Sequence, residues 1–415
     1  RDGDRLDCGD NTEDRTRCGV YSIETDSVGG YGESEVEESP VAFVDEDRFV
    51  AQRTRRAATV PVVYDLATGE SRELDLPEGV ASVPAVGEQV LSDGRVILGH
   101  STPTRRSELI AYDLDSDEYE MLMAADYGDI DPDVFVDGEY FEFRSDGVPE
   151  TPARAVEHDP YEPLDIEGIL YDSGERPSPL IVKIHGGPPA QDQRSFDLYT
   201  QFLATKGYSV LQVNYRGSTG RGVEFERALY DDWGGAEQGD IATGVEHTLE
   251  SRDFLDEDRV AVFGGSYGGY SAYWQMVQYP DLYDAGIARI GLTDLVEMFE
   301  TTMPHFRTEL MEKNLGTPED NPELYELRSP ITHVDNVSAP LCMIHGVNDR
   351  RVPISQARRF RDALLEHGYE EGSDGDFEYE ELGEEGRSTD QEQELRAFKL
   401  MDGVLSRRIP TDSSD

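Results

Sequence analysis

The chain has 415 residues, enough for two or three domains, and carries 88 acidic against 37 basic residues for a net charge of −51. This charge argues against nucleic acids and anionic membranes as partners, because both are negatively charged. A disordered acidic chain is disfavoured as well, because 37% of the residues are hydrophobic and strand patterns recur. Self-repulsion opposes compaction at low salt but is screened at molar salt, where the Debye length is about 3 Å. We therefore expect a salt-adapted protein from a halophile.

The three cysteines are too few for a disulfide framework. Cys8 and Cys18 could form a disulfide with each other, but two free thiols are favoured. Cys342 is expected to be a small buried residue of an apolar strand. The sequence shows no secretion signal and no apolar run of about 18 residues, which favours a cytoplasmic location. Because the chain starts with Arg1, N-terminal residues are expected to be missing. The oligomeric state stays open, and a homo-oligomer is one alternative.

Residues 1–165 have almost no helical periodicity and are predicted to form short strands separated by polar turns. The segments V-V-Y-D-L-A-T-G-E-S-R-E-L and I-A-Y-D-L-D-S-D-E-Y-E-M-L match in outline and begin about 48 residues apart. That period fits one four-stranded propeller blade. About three to four blades would fit in this region, fewer than in most closed propellers, so the sequence predicts a partial β-propeller.

Two kinds of turn stand out in this region. Asp137-Gly138 predicts a hairpin between Val134–Val136 and Tyr140–Arg144. The acid-rich segments 113–117 and 129–133 lack the glycine and glutamate of an EF-hand loop and are interpreted as hairpin turns. No metal and no organic cofactor is expected.

Residues 166–410 alternate apolar strands with helical patterns, which predicts a doubly wound, mostly parallel sheet of the α/β class. The expected strands are Leu180–Ile184, Tyr208–Asn214, Val260–Phe263, Gly286–Ile290, Leu341–Ile344 and Phe377–Leu382. The expected helices are Asp197–Lys206, Asp240–Glu250 with Asp240 at its start, and Ile354–His367.

The strand Val260–Phe263 runs into the turn G-G-S-Y-G-G and then into a helical pattern. Strand, tight turn and helix form the context in which G-x-S-x-G lifts a serine hydroxyl, here that of Ser266, out of a sheet. The same turn directs the Tyr267 N–H toward the position of an oxyanion. The alternative is a glycine-rich turn with an ordinary serine, and the flanking strand and helix make it less favoured.

Two further segments follow strand ends, where open α/β sheets bind ligands. His185-Gly186-Gly187 stands where an α/β-hydrolase places its second oxyanion donor. Asp349 follows the strand Leu341–Ile344 and fits the chain order Ser, Asp, His of that fold. A turn or helix-capping aspartate is the alternative for Asp349.

Five motifs are spread in the expected order through residues 165–400, and they resemble the prolyl oligopeptidase family of serine peptidases, its acylaminoacyl-peptidase branch most of all. They are H-G-G-P-P (185–189), N-Y-R-G-S-T-G-R-G (214–222), D-W-G-G-A-E-Q-G-D (232–240), F-G-G-S-Y-G-G-Y (263–270) and H-G-V-N-D-R-R-V-P (345–353). The resemblance implies an α/β-hydrolase domain that hydrolyses short peptides, preceded by a propeller that limits entry. It implies Ser266 as nucleophile, Asp349 as the acid, and Tyr267 with Gly187 or Gly186 as the oxyanion hole.

The family's catalytic histidine lies in a Glu-Gly-His-Gly turn after one more strand, where this chain has G-E-E-G-R-S. Arg387 stands at the histidine position, through substitution or through loss of a His-Gly pair. Arginine stays protonated and has no acceptor lone pair, so it cannot take the serine proton. An active peptidase, a catalytically inactive hydrolase-like protein that binds peptides, and a carboxylesterase are therefore all considered.

We predict that a fluorophosphonate probe labels Ser266 weakly or not at all in this chain. Arg387→His, or insertion of His-Gly at this position, is expected to raise labelling strongly because it restores a base. Labelling is measured by intact mass in molar salt, and full-rate labelling of the unaltered chain would contradict a missing base.

Overall fold

The computed structural model describes residues 5–32, 35–84, 87–145, 163–383, 386 and 390–411. These residues form two compact units. The first comprises the residues up to Tyr140 together with Gln191–Thr205 and Thr219–Glu226. The second comprises Phe141–Ala190, Lys206–Ser218 and the residues from Arg227 onward. The domain boundary expected near residue 165 stays a prediction.

The first unit is built from short strands. In chain order they are β1 (Arg5–Asp10), β2 (Arg17–Ser22), β3 (Ser27–Tyr31), β4 (Glu37–Phe43), β5 (Arg48–Arg55), β6 (Ala58–Asp65), β7 (Ser71–Glu73), β8 (Val80–Ser82), β9 (Val96–Thr102), β10 (Arg105–Asp113) and β11 (Glu118–Met123). Strands β1 to β3 form an antiparallel sheet. Strands β4 to β7 and β8 to β11 form two four-stranded antiparallel meanders, joined by one parallel bridge between Thr59 and Val80. This arrangement confirms the predicted partial propeller.

The two matching sequence segments occupy equivalent places in the two meanders. V-V-Y-D ends β6 and I-A-Y-D ends β10, the third strand of each meander, and a leucine follows each strand. Asp65 accepts hydrogen bonds from the backbone N–H groups two and three residues later, and Asp113 does the same. An aspartate that binds its own backbone in this way starts a tight turn, which explains why both strands end at this residue.

The hairpin predicted around Asp137-Gly138 is wrong. Pro132–Val134 forms a 3₁₀ turn, capped by the Asp131 side chain, which accepts the Asp133 N–H at 3.1 Å. The proline fixes a φ angle suited to a helical turn, and the apolar run before Asp137 is too short to form a strand. The acid-rich segment 129–133 is therefore not a hairpin turn, whereas 113–117 does join β10 to β11. The strand after Gly138 joins the second sheet instead.

The second sheet has the order β12-β13-β15-β14-β16-β17-β18-β19, with β13 antiparallel to β15 and the strands from β14 onward parallel. Its strands are β12 (Gly138–Ser145), β13 (Leu164–Tyr171), β14 (Ser178–Ile184), β15 (Ser209–Asn214), β16 (Leu255–Gly265), β17 (Ala285–Arg289), β18 (Leu341–Gly346) and β19 (Phe377–Leu382). The central strands are buried along their apolar lengths, as expected for a sheet covered on both faces. The predicted α/β-hydrolase fold is confirmed.

The helices of the described residues are α1 (Leu198–Thr205), α2 (Val223–Arg227), α3 (Ala236–Ser251), α4 (Tyr267–Gln278), α5 (Leu295–Thr301), α6 (Pro304–Phe306), α7 (Lys313–Leu315), α8 (Pro322–Leu327), α9 (Ser355–Glu366) and α10 (Gln391–Arg408). A π-helical turn, Arg307–Glu312, lies between α6 and α7, and a 3₁₀ segment spans Pro330–Asn336. None of these helices is both long and apolar enough to cross a membrane. Cys8 and Cys18 are free thiols on β1 and β2, and Cys342 is buried in β18.

Helix α3 begins four residues earlier than predicted. Two carboxylates accept the N–H groups at the start of the helix. Asp232 accepts from Ala236, and Glu237 accepts from Gly234 and Gly235 just before the helix. Asp240 therefore lies inside the helix, where it forms a buried ion pair with Arg216 at 2.8 Å. The sequence pattern identified the acidic residue but assigned it the wrong position in the helix.

Two glycines allow the elements around Ser266 to pack backbone against backbone. A Cβ atom on Gly268, in α4, would lie 2.1 Å from the Ile184 carbonyl oxygen at the end of β14. A Cβ atom on Gly264, in β16, would lie 2.1 Å from the Gly268 carbonyl oxygen. These two close approaches are the physical reason for glycine at both flanks of the G-x-S-x-G turn.

Replacing Gly268 with alanine is expected to lower the free energy of unfolding by about 1–3 kcal/mol or more, because backbone atoms cannot move aside cheaply. The matched control is Gly30→Ala on β3, where a Cβ atom meets nothing within 4 Å. The control is expected to change stability by less than about 0.5 kcal/mol. Urea unfolding in molar salt measures both, and equal stability of the two variants would contradict this packing.

Candidate active site

Ser266 sits in the turn between β16 and α4 with φ of 61° and ψ of −120°, a left-handed conformation that is strained for a residue with a side chain. Its N–H donates to the Arg289 carbonyl oxygen at 2.9 Å, and its own carbonyl accepts the Tyr270 N–H at 2.9 Å. The residue is 7% exposed. Strand β17 and helix α4 together hold the strained turn in place.

The oxyanion donors predicted from the sequence lie close to Ser266. A Cβ atom built on Gly186 would be 3.4 Å from the Ser266 Cβ and 3.8 Å from the Tyr267 nitrogen. Tyr267 is the first residue of α4, so its N–H is one of the four at the helix start without an intrahelical acceptor. Gly187 follows with φ of 134°, which a side chain would disfavour. The structure thus brings Gly186, Ser266 and Tyr267 together, and their catalytic roles stay a proposal.

The glycine loop is held by the residue before it. The buried His185 ring stacks on Tyr215 with ring centroids 4.3 Å apart. Its Nε2 lies 2.9 Å from the Ser218 hydroxyl, which donates to the Tyr215 carbonyl at 2.7 Å, and its Nδ1 lies 3.0 Å from the Gly186 carbonyl oxygen. These contacts fix the His185 ring, which in turn supports the loop of Gly186 and Gly187.

Asp349 follows β18, which is separated from β16 by β17 alone, so the two strand axes are about 10 Å apart. One carboxylate oxygen, Oδ1, accepts the N–H groups of Arg351 at 2.7 Å and Val352 at 3.0 Å. The other, Oδ2, is buried and has no hydrogen-bond partner among the described residues. The carboxylate is thus fixed on one side and unpaired on the other.

Arg387 lies outside the described residues, so its position as the replacement for the base stays a prediction. Its neighbour Gly386 is described, and a Cβ atom there would lie 3.5 Å from the Asn348 carbonyl oxygen. Asn348 directly precedes Asp349. Gly386 therefore lies close to the loop that carries Asp349.

The other described histidines are either exposed or in contact with other groups. His345 donates Nε2–H to the Val352 carbonyl at 2.8 Å, and burial lowers its pKa, which favours the neutral ring. His305 is exposed on α6. The remaining described histidines contact other groups, namely His100 the Pro77 carbonyl, His247 the rings of Phe141 and Phe143, His333 the Leu327 carbonyl and His367 the Ala363 carbonyl. His158 lies outside the described residues.

The sequence did not predict the buried polar network that lies beside the Ser266 turn. The Tyr267 hydroxyl donates to Glu237 Oε1 at 2.9 Å, and the same carboxylate accepts the N–H groups of Gly234 at 2.6 Å and Gly235 at 2.9 Å. Next to it, Arg328 pairs with Asp232 at 2.8 Å, both almost fully buried. The motif D-W-G-G-A-E-Q-G-D contained these acids, but nothing in its spacing showed that they face Tyr267.

Burial, with the charge of Asp232 second, raises the pKa of Glu237 to about 7. Burial also raises the pKa of Tyr267 well above its ordinary value, so its phenol stays protonated and donates. No group of three His, Cys, Asp or Glu side chains arranged to hold a metal is found within the described ranges.

The raised pKa of Glu237 predicts a pH-dependent stability difference. The unfolded chain ionises Glu237 near 4.5 and the folded chain near 7, so the folded state loses stability as the pH rises through this window. The free energy of unfolding of the natural chain, relative to Glu237→Gln, should therefore be larger at pH 5 than at pH 8. Thermal or urea unfolding at constant molar salt measures it, and a pH-independent difference would show that Glu237 ionises normally.

The chain is similar in sequence to known peptidases. Residues 194–377 match the model of the prolyl oligopeptidase family. The chain is 34% identical over 194 residues to dipeptidyl aminopeptidase BIII of Pseudoxanthomonas mexicana, covering 46% of this chain and 28% of that protein. It is 34% identical over 219 residues to the acylamino-acid-releasing enzyme of Rattus norvegicus, covering 49% of this chain and 29% of the relative.

Solved structures agree in fold. A puromycin hydrolase superposes with a TM-score of 0.82 at 21% identity, covering 98% of this chain and 60% of the other. The acylaminoacyl peptidase of Pyrococcus horikoshii superposes with a TM-score of 0.77 at 23% identity, covering 99% and 63%. The matched stretch is thus under a third of these curated relatives' length, and the chain spans less than two thirds of these structures. The fold of the chain, its Ser266 turn and the matched segment 194–377 are thus all similar to those of the prolyl oligopeptidase family.

Proposed function

We propose that this chain is a serine-type peptidase for short peptides whose turnover is impaired because Arg387 occupies the position of the base. The observation that carries the proposal is the strained Ser266 turn, with Gly186 and the Tyr267 N–H beside it. Relatives named as an aminopeptidase and as an acylamino-acid-releasing enzyme support peptide substrates. The cytoplasmic location expected from the sequence is proposed with it.

In the proposed reaction the Ser266 hydroxyl attacks the carbonyl carbon of the substrate. The Tyr267 N–H, with that of Gly187 or Gly186, stabilises the negative oxygen that forms. Asp349 would orient a base, but a guanidinium cannot accept the serine proton. Loss of a triad member leaves the contribution of the oxyanion hole and of substrate binding, so slow hydrolysis remains.

A second candidate is a protein that binds peptides without hydrolysing them. The unpaired Oδ2 of Asp349 favours this alternative, because in a complete triad this oxygen would accept a histidine N–H. A carboxylesterase shares the fold, and fold alone does not separate ester from amide substrates. Direct measurement of both substrate classes separates the three.

Peptide and ester hydrolysis should be measured side by side in molar salt for the natural chain, Ser266→Ala and Arg387→His. We expect slow peptide hydrolysis that Ser266→Ala abolishes and Arg387→His raises by about 100-fold or more, the range typical of a general base. Binding of peptides with no hydrolysis in any variant would favour the binding protein. Hydrolysis of esters alone would favour the esterase.

A further inference from the structure

The Asp349 carboxylate is held ready for a donor that the described residues do not supply. Two backbone N–H groups, of Arg351 and Val352, bind Oδ1 and prevent the carboxylate from turning. Oδ2 has no hydrogen-bond partner among the described residues, and Asp349 is only 5% exposed. A buried acceptor without a donor raises the free energy of the folded state, and more so when it is charged. A ligand that donates to Oδ2 would recover this free energy.

Two histidines beside the loops of the site, His345 and His185, have other partners. His345, four residues before Asp349, gives its Nε2–H to the Val352 carbonyl. His185, before the glycine loop, contacts the Ser218 hydroxyl through Nε2 and the Gly186 carbonyl oxygen through Nδ1. An N–H donor for Oδ2 therefore has to come from outside these residues.

We propose that this site binds a neutral imidazole from outside the chain, which donates to Asp349 Oδ2 and accepts the proton of Ser266. The imidazole is either a free molecule or the histidine side chain of a peptide substrate. This inference rests on the proposed function, since it supplies the base that the proposed function lacks.

An imidazole suits the site because one ring carries both an N–H donor and a nitrogen acceptor near neutral pH. An ammonium or a guanidinium group donates but cannot accept. Asp349 lies at the same carboxyl edge of the parallel sheet as Ser266, with only β17 between their strands. A small ring with polar atoms on opposite sides can therefore address both side chains.

The proposed acylation and deacylation of Ser266 need only water as a further reactant. As Ser266 Oγ bonds to the substrate carbonyl carbon, its proton moves to the imidazole nitrogen, and the resulting imidazolium donates to Asp349 Oδ2. The imidazolium then gives the proton to the leaving amine, and the C–N bond breaks to leave an acyl-serine. Water, deprotonated by the same imidazole, attacks the acyl group, and the proton returns to Ser266 as the acid leaves.

The first arm of the test uses the full chain in molar salt with a fluorophosphonate probe and rising concentrations of imidazole. We expect saturable acceleration of Ser266 labelling by at least about tenfold, part of the gain that a positioned base provides. N-methylimidazole is the matched control, because it can accept the serine proton but cannot donate to Asp349. Its effect should be small, and Asp349→Asn should weaken the acceleration by imidazole.

The second arm separates a substrate histidine from a free molecule. Two otherwise identical peptide libraries carry histidine or glutamine at each position around the scissile bond. If the substrate supplies the ring, one histidine position is cleaved faster, and added imidazole narrows that difference. If only free imidazole binds, both libraries are accelerated equally by it.

Two variants, Arg387→His and His305→Ala, separate a failure of the external imidazole from a failure of the proposed function. If Arg387→His restores labelling but neither imidazole nor any histidine peptide does, the external imidazole is wrong and the proposed function stands. If none of the three restores labelling or hydrolysis, the proposed function fails and this inference fails with it. Fast labelling without imidazole that His305→Ala abolishes would show that the chain supplies its own base, which also overturns the inference.

Discussion

The backbone of Ser266, held at a φ of 61°, is the constraint on which the rest of the site depends. A strained conformation of this kind costs about 1–3 kcal/mol and persists only where the surroundings enforce it. The hydrogen bond to the Arg289 carbonyl and the bond from Tyr270 hold the turn, while the Gly264 and Gly268 backbones leave no room for another arrangement. Because the turn is fixed, the Tyr267 N–H is fixed with it. Oriented dipoles that need not move during a reaction are the most effective stabilisers of a developing charge.

Arg289 connects this turn to the other end of the site. Its carbonyl accepts the Ser266 N–H, and its guanidinium pairs with Glu394 in the first turn of α10 at 3.0 and 2.7 Å. Within the segment between β19 and α10, Gly386 lies close to Asn348, the residue before Asp349. Two described contacts therefore lie at the edges of the segment between β19 and α10, and Asp349 Oδ2 has no hydrogen-bond partner among the described residues. Under the proposed function, the imidazole is the part of the site that this chain lacks.

Much of the fold could be predicted because the signals were local. A continuous apolar strand followed by G-G-S-Y-G-G specifies the turn at Ser266, and matching Y-D-L segments end their strands through the same aspartate bonds to the backbone. Predictions failed where a distant partner decides the outcome. Asp240 looked like a helix start but pairs with Arg216, and Asp137-Gly138 looked like a hairpin although the next strand belongs to another sheet. The contact between Glu237 and Tyr267 links residues 30 positions apart, and no spacing rule shows it.

The most direct test of this account is a crystal structure of the chain with a peptide boronic acid, grown in molar salt. The account predicts boron bonded to Ser266 Oγ and a boronate oxygen bound by the Tyr267 N–H and by the backbone of Gly186 or Gly187. It also predicts that no imidazole of the chain lies within hydrogen-bond reach of Asp349 Oδ2. A boronate oxygen directed away from these amides, or a histidine of the chain bound to Asp349, would contradict it.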